Sequence, residues 1–93
     1  MAIIHSSPTT NLQAAPLALQ ALAWILQDPV RAERFLTLTG LQPDELRASL
    51  DQSSTLQAVC DFLLGHEPDL LAAAAALEID PSAFGAAARE LGA

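Results

Sequence analysis

Ninety-three residues carry eleven Asp and Glu against four Arg and no Lys, a net charge of −7, and the chain is long enough for one hydrophobic core but not for two. An acidic field of this size repels phosphate, which argues against nucleic acid and against an anionic membrane surface as partners. A single cysteine, Cys60, rules out an internal disulfide and favours a reducing, cytoplasmic compartment. Leu and Ala dominate an apolar fraction of 52% and Tyr is absent, a composition that favours helices over strands. The expected class is all-α.

Residues 1–11 hold Ser, Pro, Thr and Asn without periodicity and are expected to form a flexible N-terminal arm, with residues 12–93 a single helical domain. The arm lacks the basic start and sustained apolar run of a secretory signal. A first helix is expected from Asn11 or Pro16 to Gln27, because proline is tolerated in a first turn. At the helical period Gln13, Gln20 and Gln27 share one narrow stripe, and Leu17, Leu19, Leu22, Trp24, Ile25 and Leu26 fill most of the rest. Such a helix belongs among others. The longest apolar windows, Leu17 to Leu26 and Leu70 to Leu77, are about half the ~20 residues that a membrane span needs.

Asp28-Pro29 pairs a preferred N-cap with a residue suited to the first helical position. The second helix should run to Thr39 with Ala32, Phe35, Leu36 and Thr39 inward. Gly40 then supplies a left-handed C-terminal residue, and Leu41 folds back in a Schellman-type stop. Pro43 opens a short third helix with Asp44 and Glu45 at its positive end, burying Leu46 and Leu50. The polar stretch Asp51 to Thr55 separates it from a fourth helix, for which Ser54 and Gln57 have capping-box spacing. That helix should bury Leu56, Val59, Cys60, Phe62 and Leu63 and end at Gly65-His66. Glu67-Pro68 opens a fifth helix containing Ala72 to Ala76, and Asp80-Pro81 a sixth that buries Phe84, Ala87, Ala88 and Leu91.

These signals repeat at an offset of about 38 residues. Leu22 to Leu26, Asp28-Pro29 and Leu41 to Leu46 correspond to Cys60 to Leu64, Glu67-Pro68 and Ile79 to Phe84. The expected architecture is therefore a compact bundle of five to six short helices in two weakly similar three-helix halves, with helices one and four as the central pair.

Chemistry is sparse. A reactive thiol needs exposure and a nearby cation, whereas Cys60 falls on an apolar arc beside Asp61, so a structural role is the simpler reading. His66, Glu67 and Asp69 place three metal-capable side chains close together, but their spacing matches no zinc or calcium pattern, and the two acids are explained by a helix start. His5 lies in the arm without a partner. Asp28 and Asp80 could be an acid–base pair, yet their shared position before proline makes them matched caps. No nucleophilic triad and no phosphate-cradling glycine loop is visible. No catalytic residue, cofactor or metal is expected, and the chain does not read as an enzyme.

Two features suit binding. Ala72, Ala75 and Ala76 belong to a small-residue surface that would admit another helix closely, or else packs on the protein's own helices. Trp24 could anchor a partner, or else sit in the core between helices one and two.

Ala21 to Ile25, Asp28-Pro29, Arg34 to Leu36, Thr39 to Leu41 and Asp44 to Arg47, followed by Phe62 to Leu64 and an alanine-rich tail, resemble a domain-of-unknown-function family of short all-helical bacterial proteins. The resemblance covers roughly residues 16 to 92. It implies a bacterial housekeeping or regulatory origin and brings no assigned activity and no catalytic residue. Together these readings favour a cytosolic adaptor or regulator that acts by protein–protein contact with an unidentified protein partner, with homodimerisation as one form of it. The alternative is a small-molecule or acyl-chain binding protein with an apolar pocket between the two halves.

Overall fold

A computed structural model describes residues 14–93, in which six helices and no strand occur: α1 (Ala14–Leu26), α2 (Pro29–Thr39), α3 (Pro43–Ala48), α4 (Ser53–Leu64), α5 (Glu67–Leu77) and α6 (Ser82–Gly92). The fold is all-α. The expected arm, the start of the first helix before Ala14, and His5 lie outside the described residues. Pro16 stands in the first turn of α1, where its missing N–H leaves no helical hydrogen bond unmade.

The main cluster gathers Leu22 and Ile25 of α1, Phe35 of α2, Leu46 of α3, Phe62 and Leu63 of α4, and Phe84 of α6. A second, smaller cluster joins Ala14 and Ala18 of α1 to Leu56 and Cys60 of α4 and to Ala87 and Ala88 of α6. Phe35 and Phe62 meet edge to face, with ring centres 5.4 Å apart and planes at 88°, an arrangement that sets a positive ring edge against a negative face. Helices α1 and α4 do pack together, but α4 makes its more extensive contact with α6. The small side chains of α6 explain this, because Ala87 and Ala88 bring its backbone close. At Gly92 an added Cβ would lie 2.7 Å from the Gln57 side-chain amide.

Helix α1 touches α2, α4, α5 and α6, as its composition suggested, yet its burial is one-sided. Ala18, Ala21, Leu22 and Ile25 are buried, whereas Leu19, Ala23 and Leu26 are exposed along with Gln20 and Gln27. The apolar circumference predicts fuller coverage than the neighbouring helices provide, because none of them packs over Leu19, Ala23 and Leu26.

Most helix ends follow the sequence signals. The Asp28 carboxylate accepts the Arg31 amide at 3.3 Å, with Pro29 at the first helical position. Gly40 adopts φ 74° and donates its N–H to the Leu36 carbonyl. The Leu41 N–H turns instead to the Thr39 hydroxyl at 3.3 Å, so α2 ends in the simpler left-handed motif and not in a Schellman motif. Helix α3 stops at Ala48, which leaves Leu50 in the following turn, half-buried against the main cluster.

The starts of α4, α5 and α6 depart from expectation, and α6 begins at Ser82 with Pro81, not Asp80, as its N-cap. Helix α4 begins at Ser53 after Gln52, whose carbonyl accepts the Leu56 amide. Ser54 therefore lies inside the helix and forms no capping box with Gln57. The reciprocal cap occurs at α3, where Glu45 accepts the Gln42 N–H at 2.8 Å. At α5 the N-cap is His66, and Glu67 is already helical, one position on from its counterpart Asp28.

Candidate binding surface

An open trough of about 470 Å³ runs between the C-terminal end of α2 and one flank of α4. Leu38, Thr39 and Leu41 form one wall. Ser54, Thr55, Ala58, Asp61 and Phe62 of α4 form the other. Leu38 is 71% exposed, the most exposed of the large apolar side chains among the described residues. It lies off the inward stripe that Phe35 and Thr39 occupy one turn apart, so the helical period places it at the rim. The Thr39 hydroxyl is engaged within α2, donating toward the carbonyls of Phe35 (2.9 Å) and Leu36 (3.3 Å). What remains for a ligand on this wall is apolar.

A second feature ties α2 to α5. Arg34 donates to the Asp69 carboxylate, and the His66 Nδ1 lies 3.1 Å from the same oxygen. The Arg34 guanidinium also sits 5.3 Å from the centre of the Phe62 ring. Asp69 is therefore an interhelical partner and more than a helix-start acid. The pair joins residues 35 apart in sequence, and no local spacing signals it. Among the described residues no three His, Cys, Asp or Glu side chains come together in a metal-holding group.

Trp24 is half-buried against the main cluster. The Arg31 guanidinium lies 3.6 Å from its ring centre and donates to the Trp24 carbonyl, so a cation–π contact closes over the indole. Its face is covered by the protein's own arginine, which leaves it poorly placed as a partner anchor. Ala72, Ala75 and Ala76 are exposed, beside Leu71 at 50%, while Ala73 and Ala74 are buried. The alanine run thus divides into an inner pair and an outer row. A methyl group offers little apolar area, on the order of 0.8 kcal/mol per buried carbon, and Leu71 is the one exposed large apolar side chain of α5.

Cys60 is fully buried, and its thiol is pushed up to about 11, first by burial and then by the neighbouring Asp61 charge. It stays protonated at neutral pH and is no nucleophile there. Asp28 is the N-cap of α2, whereas the N-cap of α6 is Pro81 and Asp80 stands one residue before it, so the two are not the matched caps that their shared position before proline predicts. The Asp80 carboxylate accepts the Ser82 N–H at 2.9 Å and the Ser82 hydroxyl at 2.7 Å, and these bonds hold its pKa below the ordinary carboxylate range. Each of the two carboxylates has its own local partners.

The family described as "Protein of unknown function (DUF3572)" matches residues 11–93. The chain belongs to this family. Comparison with curated proteins and with solved structures found no match. The DUF3572 match spans both halves of the bundle, including every wall of the trough. No single described helix is long and apolar enough to cross a membrane. Helices α5 and α6, apolar enough only when taken together, are bent by 98° at their junction.

Proposed function

We propose that this chain is a non-enzymatic interaction module, an adaptor or regulator of the bacterial cytosol that docks a protein partner in the trough between α2 and α4. The observation that carries the reading is Leu38, an aliphatic side chain 71% exposed at the rim of a recess that also holds Leu41 and Phe62. Covering it would recover about 25 cal/mol for each Å² removed from water. A few side chains that become fully desolvated carry most of the energy of a protein interface, and a partner that covers Leu38 against Leu41 and Phe62 would desolvate it. The alanine row of α5 is the weaker candidate because its side chains are too small to act as anchors.

Purification from a native bacterial extract with the tagged wild type and with Leu38→Gln tests the reading. A stoichiometric protein should accompany the wild type and be lost from the variant, whose melting temperature should be unchanged because the site is exposed. Equal recovery by both proteins would refute docking at this trough.

The position of the trough keeps a second reading in play. Its walls come from different halves of the chain, as expected of a small-molecule or acyl-chain pocket between them. A volume of about 470 Å³ falls within the range of ligand clefts. Such clefts enclose most of their ligand, however, and this trough is open along its length, which favours a macromolecular partner. A ligand that co-purifies in native mass spectrometry and leaves on Leu38→Gln would reverse that preference.

A further inference from the structure

We infer that the trough takes an amphipathic helix from a basic partner, with apolar side chains against Leu38, Leu41 and Phe62 and a lysine or arginine facing Asp61. This rests on the docking reading above and adds the partner's chemistry.

Charge gives the first argument. Asp61 is exposed and is the one charged side chain among the lining residues of the trough. Three of the four arginines are engaged within the protein: Arg31 with Asp28 and Trp24, Arg34 with Asp69, and Arg47 with Asp44. They cannot neutralise an incoming anion without giving up those contacts, and the chain as a whole carries −7. A segment rich in Lys or Arg is drawn to such a surface, and an acidic one is repelled.

Backbone hydrogen bonding gives the second. The described residues contain no strand, so there is no sheet edge to which an extended peptide could add. The walls come mostly from α2 and α4, whose backbone groups are largely bonded within the helices, so a docking segment must satisfy its own N–H and C=O groups, and a helix does this internally. The Thr39 hydroxyl adds no free handle, since it already bonds to Phe35, Leu36 and the Leu41 N–H.

The test uses three fluorescein-labelled synthetic peptides of about four helical turns. They share one leucine face and carry Lys, Gln or Glu on the opposite face. Fluorescence polarisation at fixed ionic strength should give the tightest binding for the Lys peptide, weaker binding for the Gln peptide and none for the Glu peptide. Leu38→Gln should weaken the Lys peptide about tenfold, as for one buried aliphatic side chain. Asp61→Asn should weaken it about threefold, the scale of an exposed ion pair, and Asp61→Lys should shift preference toward the Glu peptide. Glu90→Gln on α6, with the same change in net charge as Asp61→Asn, should leave binding unchanged.

If the Gln peptide binds as tightly as the Lys peptide and both respond to Leu38→Gln, docking stands and the basic partner is refuted. If Glu90→Gln weakens binding as much as Asp61→Asn, the attraction is diffuse and the assignment to the trough falls. If no peptide responds to Leu38→Gln, the docking reading itself is refuted. A dimer in sedimentation that Leu38→Gln dissociates would show the occupant to be a second copy of this chain and overturn the proposal.

Discussion

In the first half of the chain α3 runs six residues from Pro43 and buries Leu46 alone. In the second half α6 runs eleven residues after Pro81 and buries Phe84, Ala87 and Ala88. The starts correspond across the repeat, but the lengths do not. At the end of α3 both the amide and the hydroxyl of Ser49 turn back to the Leu46 carbonyl, at 3.1 and 3.2 Å, and polar residues follow. At the matching point α6 has Ala86 to Ala88, good helix formers, of which Ala87 and Ala88 are buried close against Leu56 and Cys60 of α4. The consequence is an unequal bundle, in which α6 covers one side of α4 while the flank facing the end of α2 stays open as the trough. Punctuation sets where helices begin to within a residue or two, and the size of the following side chains decides how much each one covers.

The sharpest way to break this comparison is to truncate the buried residue that each third helix contributes. Phe84→Ala should cost about 4 kcal/mol and Leu46→Ala about 2–3, read as shifts in the urea midpoint at constant slope. Against a stability of about 5–14 kcal/mol for a chain of this length, the first variant should be barely folded and the second clearly folded. Equal losses would show that α3 carries as much of the core as α6.

Aromatic residues at matching positions give the next largest effect. Trp24 corresponds to Phe62, and α2 sets a guanidinium over each, Arg31 at 3.6 Å and Arg34 at 5.3 Å. Phe62 is buried, whereas Trp24 is half-exposed. Trp24→Ala should therefore cost about 3 kcal/mol, at the low end for aromatic truncation. Arg31→Met should cost less, about 1 kcal/mol, and should shift the tryptophan emission. An alanine variant melting within a few degrees of a wild type with strongly red-shifted emission would show that Trp24 is a surface anchor after all.

The carboxylates that precede Pro29 and Pro81 also differ, since Asp28 is an N-cap and Asp80 lies one residue before one. Asp28→Ala should cost about 1 kcal/mol, the usual loss of an N-cap, because the Arg31 amide loses its acceptor. Asp80 offers a pH test. Its carboxyl is depressed in the folded state, first by the Ser82 N–H and then by the Ser82 hydroxyl. The stabilisation it supplies is thus complete above the unfolded value near ~3.9. It is lost as pH falls through that value toward the folded one. The difference in melting temperature between wild type and Asp80→Asn should narrow below about pH 4. A difference that stays constant down to strong acid would remove the carboxylate from that helix start.

Local chemistry made most of the fold readable. Asp28-Pro29, Gly40, Pro43 and Asp80-Pro81 each act through backbone groups within a few residues, so their effect is visible in the string. The failures have physical reasons as well. Ser54 and Gln57 have the right spacing for a box, but the N-cap lies two residues earlier, at Gln52, whose carbonyl accepts the Leu56 amide. The Arg34–Asp69 pair depends on how α2 and α5 meet, which no spacing encodes. Leu38 did carry a signal, since it falls off the stripe of Phe35 and Thr39, but an apolar residue out of phase reads as an ordinary exposed leucine until a recess is seen beside it. Trp24 and the alanine run could be named as candidates, while their exposure required the packed structure.

The smallest expected effect lies at the two left-handed helix ends, where the halves use different residues for one task. Gly40 ends α2 with φ 74°, and Glu78 ends α5 with φ 58°. At Glu78 the Schellman pattern is complete, with its own N–H directed to the Ala75 carbonyl at 3.3 Å and the Ile79 N–H to the Ala74 carbonyl at 3.0 Å. A glutamate there bears the steric cost of its Cβ in the left-handed region and puts a negative charge at the negative end of the helix. Glycine relieves both, at the expense of a more flexible unfolded chain. Glu78→Gly should therefore stabilise the protein by about 0.5–1 kcal/mol, while Gly40→Glu, the reciprocal change, should destabilise it by about 1 kcal/mol. Thermal melts of both variants would decide the matter. If Glu78→Gly lowered the melting temperature, the glutamate side chain would have to make a contact worth more than its strain, and the two helix ends would not be equivalent.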